Sequence, residues 1–175
     1  MRIALPVAIS ALALAGCTSL DSIPTERVGE VSLSFANGLP AGTGQLLSDG
    51  RTLSLAVAAT GLEPGEHGFH LHTTGRCTAP DFKSAGGHLN PAGSEHGSLN
   101  PQGKHLGDLP NLVIGASRSA STEVDLGADT SALRETLFDD DGTAVVIHAG
   151  ADDYRSDPAG DAGSRVACGV LRPAS

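Results

Sequence analysis

The sequence is short of positive charge, of helical periodicity and of length. Its 11 lysines and arginines stand against 20 aspartates and glutamates, a formal net charge of -9. That balance argues against a nucleic acid or an anionic membrane surface as an electrostatic partner. No apolar stretch keeps the helical period for long, which argues against a mainly helical fold. A chain of 175 residues is too short for two domains of ordinary size, so we expect one.

What the chain has in quantity is glycine and proline. The 23 glycines and 10 prolines separate short apolar runs with turn signals, the pattern of strands and loops. Alternating apolar residues support two of the predicted strands, and Asp49-Gly50 predicts a hairpin turn between apolar runs. We therefore expect an all-β domain with almost no helix. The predicted strands cover residues 30–36, 52–60, 65–72, 111–115, 121–126, 144–148 and 166–171.

The N-terminal residues are typical of a bacterial export signal. The apolar run at residues 3–15 is too short to span a bilayer. It ends in Leu-Ala-Gly-Cys, which resembles the lipobox of bacterial lipoproteins, where acyl chains on the cysteine, here Cys17, provide the membrane anchor. An ordinary secretory signal in which Cys17 falls by chance is the weaker alternative. No aspartate follows Cys17, which by analogy with Gram-negative lipoproteins favours the outer membrane.

These features divide the chain into three parts. We expect a signal peptide at residues 1–16 that is cleaved, a lipidated Cys17 with a polar tether at residues 17–27, and one domain at residues 28–175. The protein is then exported and lipid-anchored in the periplasm or cell envelope.

Two cysteines remain if Cys17 carries lipid. An export context permits disulfides, so we predict a bond between Cys77 and Cys168. In the chain-entropy model a bridge over about 90 residues stabilises the fold by roughly 4 to 5 kcal/mol. Two buried free thiols are the alternative.

All seven histidines lie between His67 and His148, and five of them between His70 and His105. His70 and His72 are two residues apart on a predicted strand, so both side chains leave one face while Phe69 and Leu71 face the core. The stretch from residue 72 to 111 has no periodicity and is far longer than a normal connection. A loop of that length in a compact domain needs contacts that hold it in place, or a function of its own.

Two metal sites account for these histidines. His88, His96, His105 and Asp108 supply three imidazoles and one carboxylate within 21 residues, a full tetrahedral shell for a structural zinc. His148 ends a predicted strand and can complete a second, imidazole-rich site with His70 and His72. Nitrogen ligands favour copper, zinc or nickel without separating them. The alternative is an unstructured polar loop, which does not explain the glycines and proline beside His88.

Four segments read GEHGFHLH, GHLNP, HLGDLPN and GSRVACGV, at residues 65–72, 87–91, 105–111 and 163–170. Together they resemble the bacterial copper,zinc superoxide dismutases, here as a lipoprotein-type member. Order and spacing agree from about residue 31 to the C-terminus. The resemblance implies an eight-stranded Greek-key β-barrel or sandwich with long metal-binding loops, and one copper and one zinc per chain.

The resemblance also implies a role for each site residue. His88 is implied as the ligand shared by both metals, and His67 as a structural histidine that binds no metal. Asp152 resembles a carboxylate that links a copper-bound to a zinc-bound imidazole, and Arg165 resembles the arginine that guides the anionic substrate. The implied copper ligands are His70, His72, His88 and His148, and the implied zinc ligands are His88, His96, His105 and Asp108. Cys77 and Cys168 resemble the family disulfide.

The implied activity is dismutation of superoxide to oxygen and hydrogen peroxide, an antioxidant oxidoreductase reaction. Lys83 and Lys104 are candidates for steering superoxide, although solvated surface lysines are an equally good interpretation. Only 16 residues separate His148 from Arg165, which is shorter than in eukaryotic members. Bacterial members can pair as homodimers, but this sequence shows no clear interface patch.

Three alternatives remain open. The first is a copper-binding or copper-buffering lipoprotein of the same fold with little turnover. Storage alone would not require Arg165 beside a complete ligand set. The second is a zinc-only hydrolase, which lacks an obvious general base once the histidines and Asp108 are assigned. The third is a structural role in which both metals act only as staples, which fits zinc better than the second site.

Overall fold

The structure is a computed structural model that describes residues 25–175. The signal peptide, Cys17 and most of the tether lie outside the described residues, so the predictions about them stay predictions. In residues 25–175 no helix is long and apolar enough to cross a membrane.

Nine strands, one α-helix and one turn of 3-10 helix make up the described part of the chain. The strands are β1 (Glu26–Phe35), β2 (Pro40–Ser48), β3 (Thr52–Thr60), β4 (Gly65–His67), β5 (Phe69–His72), β6 (Leu112–Ile114), β7 (Ser119–Ala128), β8 (Thr143–His148) and β9 (Arg165–Pro173). The helix α1 covers Ser131–Leu137, and the 3-10 turn covers Lys83–Ala85.

Seven strands form one antiparallel sheet in the order β5-β8-β9-β1-β2-β3-β7, and β4 pairs with β6 in a second sheet. The sheet curls around one core, because buried side chains from both ends of this order belong to the same apolar cluster, among them Leu55, Phe69 and Ile147. The predicted all-β barrel with long loops is confirmed. The strand predicted at residues 65–72 is divided at Gly68 into β4 and β5, and β2 was not predicted, so the seven strands predicted from the pattern become nine.

The first hairpin forms as predicted. Asp49 Oδ1 accepts hydrogen bonds from the N–H groups of Arg51 and Thr52, both at 2.8 Å, and Gly50 has φ +81°. The turn joins β3, which matches its prediction, to β2, which we did not predict. Gly44 leaves room in β2 for Val57, so this strand lacks a clear alternating pattern.

The helix α1 was also missed. Thr130 begins it by accepting a hydrogen bond from the N–H of Leu133 at 3.1 Å, and Leu137 is fully buried in the core. A helix of seven residues is too short to give a periodic signal.

The predicted disulfide is confirmed between Cys77 and Cys168, with 5.7 Å between the Cα atoms. It joins the start of the long loop to β9. Beside it lies a small apolar cluster that contains Phe82, Ala85 and Val146. The loop is thereby fixed to the barrel at its N-terminal end.

Candidate metal centre

Two neighbouring strands carry three of the histidines. β5 pairs antiparallel with β8, with His70 opposite Val146, and the N–H of His148 donates to the carbonyl of Gly68 at 2.8 Å. Phe69 and Leu71 are fully buried in the apolar core, as predicted from the alternation along β5. The rings of His70, His72 and His148 are buried as well, so the barrel wall supports a buried polar site.

The long loop brings in the remaining ligand candidates by pairing with the free edge of β5. The N–H of Leu71 donates to Gly107 at 3.0 Å, and the N–H of Thr73 donates to Gly87 at 3.0 Å. Leu89 returns a hydrogen bond to the carbonyl of Leu71 at 2.8 Å. These bonds place His72 opposite His88 and His70 opposite Asp108.

Four histidine rings converge on one point. One ligand atom from each of His70, His72, His88 and His148 lies within 4.8 Å of the others. In the described residues, the buried atoms His70 Nδ1, His72 Nε2, His88 Nε2 and His148 Nε2 have no hydrogen-bond partner. A buried polar atom without a hydrogen-bond partner costs free energy. Four such nitrogens that face one another therefore indicate a binding site for a ligand. The donor set fits copper.

The opposite nitrogen of each of three rings is held by an oxygen atom. His72 Nδ1 lies 2.9 Å from the carbonyl of Gly86, and His148 Nδ1 lies 3.1 Å from the carbonyl of Gly163. His70 Nε2 lies 2.7 Å from Asp152 Oδ2. Because these oxygens only accept hydrogen bonds, the facing nitrogens carry the protons and the inward nitrogens keep free lone pairs.

A second group surrounds Asp108. Its Oδ1 lies 2.8 Å from His88 Nδ1, 3.0 Å from His105 Nδ1 and 3.0 Å from His96 Nδ1. The His96 contact lacks the geometry of a hydrogen bond, so His96 Nδ1 is another buried nitrogen without a partner. The ligand atoms of the four residues lie within 4.8 Å of one another, a donor set that fits zinc.

His88 and Asp152 connect the two groups in different ways. His88 belongs to both, because its Nδ1 faces Asp108 and its Nε2 has no partner among the described residues. Asp152 lies behind both, with Oδ2 at 2.7 Å from His70 Nε2 and Oδ1 at 3.0 Å from His96 Nε2. The two groups are therefore joined directly by a ring and indirectly by a carboxylate.

Burial holds the rings of the first group neutral. It lowers the pKa of His72 to about 2, that of His148 to about 3 and that of His88 to about 4, and Arg165 adds to the effect on His72 and His148. Neutral imidazole is the form that binds a metal ion, so the site is ready for metal at neutral pH.

The two buried carboxylates are ionised. Burial raises the pKa of Asp108, but hydrogen bonds from His88 and from the N–H groups of Gly97 and His105 outweigh it and hold this pKa below its usual range. Burial opposes ionisation of Asp152 in the same way, but hydrogen bonds from His70, His96 and the N–H of Tyr154 lower its pKa to about 2. Two negative charges therefore stand ready to balance metal cations.

Arg165 stands at the edge of the first group. Its guanidinium donates to the carbonyl of Phe82 at 2.7 Å and to the carbonyl of Gly86 at 2.6 Å. The Gly86 carbonyl also holds His72 Nδ1, so Arg165 and His72 share one acceptor. Burial lowers the pKa of Arg165, but an arginine stays charged at neutral pH.

The other candidates lie further from this group. Lys83 is exposed and lies 3.4 Å from the Asp81 carboxylate, and Lys104 donates to the carbonyl of Asp108 at 3.1 Å. His67 holds the carbonyl of His148 through Nδ1 at 2.7 Å and the carbonyl of Glu63 through Nε2 at 2.9 Å. With both nitrogens engaged, His67 ties loops together instead of joining a metal group.

Sequence reasoning missed three residues beside Asp152. Asn111 and Tyr154 bond to it, and Gly160 has φ +63° and packs against its carboxylate. Asn111 ends one of the family-like segments, which was the one signal available for it. Tyr154 and Gly160 lie in the loop between β8 and β9, where no periodicity marks them.

Comparison with known proteins gives consistent results. The family described as copper/zinc superoxide dismutase (SODC) matches residues 41–171. The chain is 45% identical over 157 residues to Superoxide dismutase [Cu-Zn] 2 of Aquifex aeolicus, covering 81% of this chain and 92% of that protein. It is 37% identical over 189 residues to the superoxide dismutase-like protein YojM of Bacillus subtilis, covering 97% of this chain and 95% of that protein. The crystal structure of a SOD-like protein from Bacillus subtilis matches with a TM-score of 0.76 at 38% identity, covering 82% of this chain and 97% of that one.

The fold and the paired histidine groups define a β-barrel protein with two adjoining groups of residues that could hold metal ions. The family match and the relatives make the class specific: the chain belongs to the copper/zinc superoxide dismutase family. It is a superoxide dismutase whose cofactors are copper and zinc.

Proposed function

We propose that the enzyme dismutates superoxide at a copper ion held by the first group and supported by a structural zinc in the second. The copper ligands are His70, His72, His88 and His148, and the zinc ligands are His88, His96, His105 and Asp108. The observation that carries this assignment is the set of buried inward nitrogens without partners, together with the two faces of His88. His88 is then the bridge between the metals.

The overall reaction converts two superoxide anions and two protons into oxygen and hydrogen peroxide. When bound, copper supplies a one-electron redox couple and zinc supplies a fixed positive charge. The chain's own residues must admit the anion, orient the ligands and deliver protons. His88 is the residue placed to carry a proton at Nε2 and donate it to the departing peroxide, because Nδ1 faces the second group and Nε2 has no partner among the described residues.

Arg165 attracts and orients the anionic substrate. At a net charge of -9 the protein repels superoxide at long range, so a local positive charge beside copper is needed. Two backbone carbonyls fix the Arg165 guanidinium, which limits the reorganisation needed when the anion arrives. Asp81 partly offsets the charge of Lys83, so Lys83 contributes less, and Lys104 donates to the carbonyl of Asp108.

The direct test is metal content together with superoxide dismutation of the chain from residue 18 onward, loaded with copper and zinc. We expect one copper and one zinc per chain and fast activity that disappears when copper is removed. Full copper loading with negligible activity would instead identify a copper-buffering protein.

We further propose that the protein is exported and anchored to the cell envelope by acyl chains on Cys17. The lipobox-like sequence before Cys17 supports this, and so does the Cys77–Cys168 bond, since disulfides are typical of oxidising compartments. Labelling of cells with a radioactive fatty acid tests the anchor. The label should appear in the wild-type protein and be absent from Cys17→Ser, whereas an unlabelled wild type would indicate an ordinary secreted protein.

A further inference from the structure

Asp152 has to be placed accurately, although it lies in a connection without regular structure. This connection runs from residue 149 to residue 164 between β8 and β9. The Asp152 carboxylate reaches His70 at 2.7 Å through one oxygen and His96 at 3.0 Å through the other. A small displacement of its backbone would lengthen one or both contacts, so something must hold that backbone.

Asn111 holds the Asp152 backbone from one side. The side-chain oxygen Oδ1 of Asn111 accepts the N–H of Asp152 at 2.9 Å, and Nδ2 donates to the Asp152 carbonyl at 2.9 Å. Both backbone polar groups of Asp152 are thus satisfied by one side chain. Asn111 directly precedes β6, where Leu112 pairs with His67, so the second sheet holds the backbone next to Asn111 in place.

Tyr154 holds Asp152 from the other side and completes a ring of contacts. Its phenol oxygen accepts the N–H of Asn111 at 2.7 Å, and its own N–H donates to Asp152 Oδ1 at 2.6 Å. Tyr154 has φ +61°, a conformation that a residue with a bulky side chain rarely adopts. Such a conformation persists where the surrounding contacts impose it.

Tyr154 also reaches the loop that carries the second group. Its carbonyl accepts the N–H of Leu99 at 3.0 Å and packs so closely on Gly97 that a Cβ atom there would overlap it. The N–H of Gly97 donates to Asp108 Oδ2 at 2.9 Å. A continuous set of contacts therefore runs from Asp108 through Tyr154 to Asp152.

We propose that Asn111 and Tyr154 form a clamp that positions Asp152 between His70 and His96 and so fixes the two metal groups relative to each other. Both are positioning residues, since they act through Asp152 and touch neither substrate nor metal ligand side chains. The inference rests on the proposed assignment of copper and zinc to the two groups.

The test compares Tyr154→Phe and Asn111→Ala with the wild type. Tyr154→Phe removes only the phenol oxygen, while Asn111→Ala removes both side-chain contacts to Asp152. Outer-shell partners of a metal site typically alter metal affinity by about 10- to 100-fold. We expect Asn111→Ala to lower zinc affinity about tenfold in competition with a chelator, and Tyr154→Phe to lower it by a smaller factor. The copper EPR spectrum should change in both variants.

Asn37→Ala is the matched control. Asn37 is exposed in the turn between β1 and β2, and its side chain also accepts a backbone hydrogen bond, from Leu39 at 3.0 Å. The control should leave zinc affinity and the copper spectrum unchanged. Equal zinc affinities in Asn111→Ala and Asn37→Ala would overturn the clamp.

The variant Asp152→Asn shows whether Asn111 acts by positioning Asp152 or through a general effect on folding. If Asn111 acts through Asp152, adding Asn111→Ala to Asp152→Asn should lower zinc affinity by no further factor, because both changes remove one function. A full additional tenfold loss in the double variant would show that Asn111 acts independently of Asp152 and would overturn the inference.

A signal from Tyr154, measured without metal, tests the clamp separately from the metal assignment. Tyr154 is the only tyrosine, and the chain has no tryptophan, so the near-UV circular dichroism of tyrosine reports on this one side chain. If the wild type bound neither metal, the proposed function would fail. The clamp would still require the tyrosine signal to weaken in metal-free Asn111→Ala and to persist in Asn37→Ala, and a signal unchanged in Asn111→Ala would overturn it.

Discussion

His88 Nδ1 lies 2.8 Å from Asp108 Oδ1, while Nε2 of the same ring points into a different group of ligands. One planar ring therefore has a nitrogen in each group. The rigid ring fixes the distance between these two nitrogens, which makes His88 the residue whose replacement is most informative.

Changing His88→Gln should uncouple the two sites. Three histidines remain to hold copper, but glutamine cannot offer two nitrogens on opposite sides of a rigid ring. We expect copper to stay bound and activity to fall about 100-fold, the usual contribution of a positioned proton donor. The measurement is the copper EPR spectrum with and without zinc. In the wild type it should respond to zinc removal, and a similar response in the variant would contradict the bridge.

Changing Arg165→Glu should slow turnover without loss of metal. The substitution replaces a positive charge near copper with a negative one and repels superoxide, so we expect kcat/KM to fall by about tenfold or more. Arg165→Lys keeps the charge but loses the paired donation to Phe82 and Gly86, so its kcat/KM should lie between those of the wild type and Arg165→Glu. An unaltered rate in Arg165→Glu at full metal content would place the attraction elsewhere.

Changing Gly160→Ala should disturb Asp152 directly. A Cβ atom at this position would overlap Asp152 Oδ1 and approach His96 Nε2 to 2.6 Å. We expect zinc affinity to fall about tenfold, as for other outer-shell changes. Gly38→Ala provides the control, because Gly38 has φ +82° and no atom within 4 Å of the added methyl. A zinc affinity in Gly160→Ala equal to that in Gly38→Ala would contradict a role for the overlap.

The metal-free protein should lose stability in acid. Burial keeps His72, His88 and His148 neutral in the folded state, whereas in the unfolded state they take up protons below a pKa of 6.5. The unfolded state then binds more protons, so the free energy of unfolding falls by up to about 1.4 kcal/mol per pH unit for each histidine. Because the pKa values of Asp108 and Asp152 are also lowered by folding, these two carboxylates lower the free energy of unfolding further as the pH falls below about 4.

Urea unfolding of the metal-free protein at pH 7.5, 6.5, 5.5 and 4.5 measures this effect. Stability should be nearly constant above pH 7 and fall steeply between pH 6 and pH 4.5. A stability independent of pH over that interval would mean that the three rings take up protons equally in the folded and unfolded states, and would contradict their lowered pKa values.

The sequence predicts more of this site than of the barrel around it. His70 and His72 could be placed on one strand face because alternation along a strand is a short-range rule, and the family-like segments carry the remaining ligand candidates. β2 was missed because two of its four buried positions are Gly44 and Ser48, which leaves only Ala41 and Leu46 as buried apolar side chains.

The contacts around Asp152 could not be predicted in the same way. Asn111 and Tyr154 are 43 residues apart, and their hydrogen bond depends on the paths of two irregular loops. In the sequence Gly160 is one glycine among 23, and only the structure shows the Asp152 carboxylate beside it. Local patterns carry no information about how two such loops meet, so the clamp required the structure.

The pairing of the long loop with β5 has a consequence for the behaviour of the chain in solution. β5 is an outer strand of the seven-stranded sheet, and the backbone bonds of Leu71 and of Thr73 just after β5 cover the edge that β8 leaves free. An uncovered strand edge is a template for pairing with other chains and for aggregation. The loop that carries the proposed zinc ligands therefore also covers the edge of the sheet, so a substitution that releases it from β5 should expose that edge to self-association.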